Sequence, residues 1–114
     1  MKAIHLELGQ PARLVDIQTT PYDHLRGIFP DGFDGIRLAP DVVGYVGDTS
    51  LVDGAPANSA GKALADAVYQ QAAGRDYHTR VCGPMVVLGV TEAGESTSVP
   101  DGFVQQFLSD LTKA

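Results

Sequence analysis

The sequence contains a single cysteine, no tryptophan, and only 8 Lys and Arg residues against 14 Asp and Glu. The lone Cys82 excludes an internal disulfide framework and any metal site built from several thiolates. Without clustered Lys and Arg there is no electrostatic basis for gripping a nucleic-acid backbone, so direct nucleic-acid binding is not expected. No apolar run approaches the roughly 20 residues of a membrane-spanning helix, so no membrane partner is expected either. The opening stretch Met1–Glu7 alternates and carries early charge where a signal peptide would be apolar. It reads as the first strand of a cytoplasmic protein. The three histidines, His5, His24 and His78, do not stand at spacings that bring two metal ligands onto one helix face. Neither a metal nor a cofactor is expected.

What remains is enough for one domain over residues 1–114, with a single core. The net charge of −6 is unevenly distributed. Asp31, Asp34, Asp41, Asp48 and Asp53 face only Arg37 across residues 30–53. Residues 54–90, with Lys62, Arg75 and Arg80 against Asp66 and Asp76, form the one net-positive quarter.

Lys2–Leu8 alternates, with Ile4, Leu6 and Leu8 on one face and His5 and Glu7 on the solvent-leaning one. Gly9–Ala12 supplies turn chemistry, and Arg13–Gln18 alternates again with Val15 and Ile17 inward, completing a β-hairpin. Thr20 as N-cap and Pro21 at the first helical position start a short helix to about Ile28, turning Tyr22, Leu25 and Ile28 or Phe29 toward a sheet. Phe33–Leu38 and Val42–Val46 form a second strand pair, with Gly44 a point of irregularity. Gly47–Asn58 is a long loop, pinned by Leu51 and Val52, of the kind that often carries function. Asn58 or Ser59 caps the next helix, whose stripe is Ala60, Ala63, Leu64, Ala67, Val68 and Gln71 or Ala72, with Lys62, Asp66 and Gln70 facing water. Gly74 ends it.

Val81–Val90 follows, opened or bulged at Gly83–Pro84. Its core Met85–Leu88 shows no alternation, as befits a central strand covered on both faces. Thr91–Ser98 reads as a flexible surface loop. A last helix opens at Pro100 and Asp101 and presents Phe103, Val104, Phe107, Leu108 and Leu111. The order ββαββαβα describes an α+β domain: a mostly antiparallel sheet of about five strands with two or three packed helices.

No catalytic constellation assembles from these residues, and the reading leans away from an enzyme. Cys82 has His78 and Arg80 near in sequence, but a small buried hydrophobe is the plainer role. Gly54–Lys62 fails the phosphate-loop pattern G-x-x-x-x-G-K-[ST]. It keeps a helix N-terminus, Asn58 and Lys62, a combination able to hold an anion, set against the simpler reading of a capped helix start.

The opening Met1-Lys2-Ala3-Ile4 with its hairpin, the turn Gly54-x-Pro56-x-Asn58-x-Ala60 and the strand Gly83-Pro84-Met85-Val86-Val87-Leu88-Gly89 resemble a family found in phages, actinobacteria and mobile elements. It is the domain-of-unknown-function family numbered three-eight-four-six. The likeness covers residues 1 to about 90, with Ala57 where members often carry a second proline. It brings no activity or catalytic residues. It implies a phage-type accessory protein expressed in a host cytoplasm.

The function expected is therefore non-enzymatic binding of a host protein or small ligand, in the manner of a counter-defence or host-redirecting factor. The expected surface comprises Gly54, Pro56, Asn58 and Lys62, with a second patch of Tyr77, His78 and Arg80. One alternative is a nucleotide or small-anion binder or hydrolase using residues 58–62. Another is an acidic DNA mimic, which requires the Asp31–Asp53 acids and the C-terminal acids to share a face. A two-fold homodimer is the assembly to expect first for so small a domain.

Overall fold

The computed structural model describes residues 1–48 and 54–108. The expected pin at Leu51 and Val52, Asp53 of the acidic stretch, and Leu111 of the last helix lie outside the described residues.

Strands β1 (Lys2–Leu6), β2 (Arg13–Asp16), β3 (Phe33–Ala39), β4 (Val42–Gly47) and β5 (Met85–Val90) lie in the order β2-β1-β5-β4-β3. Every pairing among them is antiparallel. Helix α1 (Pro21–Ile28) lies on one face, and α2 (Ser59–Ala73) with the final helix on the other. The protein is thus an α+β domain with three layers. β5 is central, and all six of its residues are buried, which is why its sequence does not alternate.

The structure departs from the periodicity in several places. β1 is central as well, lying between β2 and β5, so Ala3, Ile4, His5 and Leu6 are all buried. His5 therefore does not lean toward solvent. Leu8, expected inward, falls beyond the end of the strand and is exposed. In α1 the Thr20 hydroxyl accepts the Asp23 N–H as expected of an N-cap, and Leu25 and Phe29 pack inward. Tyr22 stays out of the core, 63% exposed, stacked edge-on against Phe33 at the surface. Gly44 is regular; the shift in register falls between Arg37 and Ala39.

The buried stripe of α2 is Gly61, Leu64, Ala65 and Val68, while Ala63 and Ala67 are exposed. The helix is rotated because Gly61 sits under Val81. A Cβ at Gly61 would lie 2.9 Å from the Val81 Cγ1, so the smallest residue in the first turn marks the closest approach. The loop after β5 is less free than composition suggests. Ser96–Thr97 forms a short strand, β6, beside Gly89 and Val90. The chain then runs along β1, where Val99 N–H donates to the Lys2 carbonyl (2.9 Å) and Lys2 N–H to the Ser98 hydroxyl (2.9 Å). The final helix, α3, opens at Asp101–Phe103 and continues as a π-helical stretch over Val104–Leu108, burying Phe103 and Phe107. No described helix is long and apolar enough to cross a membrane.

Candidate functional site

Two of the motifs singled out in the sequence meet in space. Residues 56–58 run antiparallel to 81–83: Asn58 N–H donates to the Val81 carbonyl (2.8 Å), Gly83 N–H donates to the Pro56 carbonyl (2.8 Å), and Ala57 bridges Cys82. The Asn58 side chain completes the junction. Its Oδ1 accepts the Gly61 N–H (2.9 Å), closing the first turn of α2. Its Nδ2 donates to the carbonyls of Leu6 (2.8 Å) and Gly83 (2.9 Å). The partners settle the amide orientation, because two carbonyls demand the NH2 and an N–H demands the oxygen.

The β1–β5 ladder ends at Leu6 opposite Met85, and the Asn58 amide replaces the next rung. At 2% exposure it faces no solvent. Asn58 is the cap its spacing predicts, and it also ties two strands to a helix.

Lys62 does not face water alone. Its Nζ donates to Asp66 Oδ1 (2.8 Å) and to the Tyr77 carbonyl (2.6 Å), while Asp66 Oδ1 also accepts the Tyr77 N–H (3.0 Å). The pair straps the 77–80 connector onto α2. The anion-binding alternative relied on the first-turn N–H groups, Asn58 and Lys62. Here Asn58 and the Gly61 N–H are bonded to each other, and Lys62 is bonded to its strap.

The hydrogen bond from Lys62, then desolvation acting the other way, then the Tyr77 N–H set the Asp66 carboxyl below its usual value of 3.8. A depressed carboxyl stabilises the folded state above its unfolded value and loses that contribution as pH falls through the folded one. Asp66→Asn is accordingly expected to be less stable than the parent at pH 7. The gap should close as an acid titration passes below about pH 4. Denaturant melts at stepped pH measure it, and a gap that stays constant to pH 2 refutes the strap.

Tyr77 is a core residue, 9% exposed and edge-on to Tyr69 at 5.0 Å, and burial raises its hydroxyl above 10.0. The remaining connector residues point elsewhere. Thr79, Arg80 and Cys82 line a groove of about 310 Å³ together with Asp34 and Asp48 from the end of the β3–β4 hairpin, and Ile36 and Val46 are among its apolar lining. Of the expected site residues, Tyr77 and Arg80 contribute to this groove. Gly54, Pro56 and His78 are exposed outside it, and Asn58 and Lys62 lie behind it in structural bonds. Arg80 makes no ion pair among the described residues. Nor do these residues include a group of three side chains able to hold a metal.

The sequence profile described as a domain of unknown function (DUF3846) matches residues 1–112. The chain belongs to that family. No match was found among curated proteins or solved structures. The DUF3846 match extends past the likeness noted in the sequence, taking in the 91–98 segment and the described part of the final helix. In this DUF3846 chain the family-like turn at 54–60 and the Gly83–Pro84 run are the two sides of the Asn58 junction. That pairing gives both a structural reason to occur together.

The described acids of the 30–53 stretch are spread along the β3–β4 hairpin. Asp34 and Asp48 are at one end of the β3–β4 hairpin and Asp41 is in the turn at the other, a strand length of roughly 20 Å away. Asp16 is spent on the N-terminal amine (3.0 Å), and Glu7 on Arg13 (3.1 Å). A histidine contact was missed altogether: His5 and His24 meet across the β1–α1 interface. They stand 19 positions apart on different elements, so no local spacing rule could reveal it.

Proposed function

We propose that this member of the DUF3846 family acts by binding, not catalysis. A small ligand or a short segment of a host protein occupies the groove between the 79–82 connector and the ends of β3 and β4. The observation that carries this reading is the groove's chemistry: an exposed Arg80 without an ion-pair partner among the described residues, in a groove lined also by Asp34, Asp48 and the apolar Ile36 and Val46. Few convergent polar groups over an apolar floor are what orient a bound molecule. The family likeness supports a setting for it, an accessory protein of a phage or mobile element working in the host cytoplasm, with counter-defence as one such role.

Arg80→Gln is the test, because an exposed side chain can be changed without disturbing the core. Thermal shift against nucleotides, cyclic dinucleotides and amino acids should find a class that raises the melting temperature, since saturating binding adds stability. The same ligand should bind Arg80→Gln at least tenfold more weakly. In parallel, host proteins retained by the parent chain should be lost by the variant. If no ligand stabilises the parent at millimolar concentration, and no retained protein depends on Arg80, the reading is wrong.

A further inference from the structure

Helix α1 is the lightest-held layer of the fold. It makes few close backbone approaches to any other element, and it docks through Leu25, Ile28 and Phe29 at the end of one turn. Among the described residues its one polar side-chain contact with the sheet is through His24. The His24 Nε2 lies 2.9 Å from the His5 Nε2, with ring centroids 5.0 Å apart and the planes at 44°. His5 is 6% exposed and His24 half-buried, and at 2.9 Å the contact is direct.

Two imidazole nitrogens at that separation share one proton: one donates and the other accepts. With one proton between them both atoms are satisfied. A second proton turns both into donors, leaves no acceptor, and sets two positive charges in contact in a part-buried position where solvent screens them only incompletely.

We infer that full protonation of the His5–His24 pair releases α1 from the sheet, so that the helix is a pH-operated cover over the apolar face of β1 and β5. Its departure would uncover Ala3, Val86 and Leu88, which Leu25 and Phe29 now cover. It would also open the adjoining cavity of about 240 Å³ between His5, Ile28 and Pro84.

The surroundings determine the direction. From β2, Arg13 stands opposite His5 in register; β5 offers Val86 there and no titratable group. On β1 itself, Glu7 Oε1 lies 3.8 Å from the His5 Nδ1, but Arg13 holds that carboxylate at 3.1 Å. On α1, Asp23 and Arg26 flank His24 and are exposed. Burial first, then His24 and Arg13, lower the proton affinity of His5 below the usual 6.5, against the opposing pull of Glu7. The detached state therefore takes the proton more readily. Docking is complete above about pH 6.5 and is lost as pH falls below it.

Hydrogen exchange on the full chain at pH 7.5 and 5.5, corrected for intrinsic rates, tests this. Amides of residues 24–29 should lose at least tenfold in protection at the lower pH while those of β5 keep theirs. In His24→Gln, which retains a donor and an acceptor but cannot be protonated, the loss should shrink to the part that burial of His5 alone causes. Histidine ring NMR supplies a second readout that does not depend on the variant folding: His5 should titrate below the ordinary value, in step with shifts in α1. Unchanged α1 protection at pH 5.5, loss shared equally by β5, loss undiminished in His24→Gln, or an ordinary His5 titration uncoupled from α1 would each overturn the inference.

Discussion

Asn58→Ala is expected to cost about 3–5 kcal/mol of folding stability. The change deletes the cap on Gly61 N–H, a loss typically of about 1 kcal/mol. It also leaves the carbonyls of Leu6 and Gly83 buried without a donor, each costing about 1–3 kcal/mol, with incomplete additivity. At roughly 4 °C or more per kcal/mol for a domain of this size, the melting temperature should fall by about 12–20 °C. Asn58→Asp should rescue little. It preserves the capping oxygen, but turns a carboxylate toward two carbonyls in a site closed to water. Thermal melts of both variants measure the effect. A loss below about 1 kcal/mol for Asn58→Ala would mean that the junction is not holding the fold, and would return Asn58 to the list of groups available to a ligand.

Gly89→Ala is the other substitution with a large expected effect, about 3 kcal/mol, at the upper end of overpacking costs. A Cβ at Gly89 would collide with the Ser98 carbonyl oxygen and stand 3.0 Å from the Thr97 methyl. The first neighbour is backbone, so no rotamer change relieves it. Relief requires residues 96–98 to move off β5, which breaks the β6 pairing and strains the bonds from 98–99 to Lys2. Behind that strap lie Val99 and Phe103, both in the core beneath α2. Exchange measurements should show protection lost first at residues 96–99. A stable variant with those amides still protected would show that the contact relaxes by other means.

The local signals were sufficient wherever one residue's chemistry decides the outcome within a turn or two. Thr20 and Pro21 start α1, Asn58 and Gly74 bracket α2, and Gly83–Pro84 precedes β5. The unbroken apolar run at Met85–Leu88 correctly marked the central strand. The stripe of α2 was misplaced because alanine is compatible with either face of a helix, so periodicity alone could not orient it. What oriented it was a contact 20 residues away, Val81 over Gly61. β6 was missed since two residues carry no periodicity, and their pairing depends on Gly89 leaving room for them.

The candidate site divides in the same way. Tyr77 and Arg80 were visible as a patch because they share a short connector, whereas Asp34 and Asp48, which also line the groove, come from the β3–β4 hairpin more than 25 residues earlier. The sequence by itself determined the class of the domain, the caps and the central strand, because these depend on chemistry within a few residues along the chain. Only the tertiary structure decided that β1 is buried on both faces, that Asn58 serves three partners, and that His5 meets His24. Each of those depends on which element is placed beside which. Burial and hydrogen-bond geometry belong to the assembled sheet and its covering helices, and no residue's own neighbours in sequence encode them.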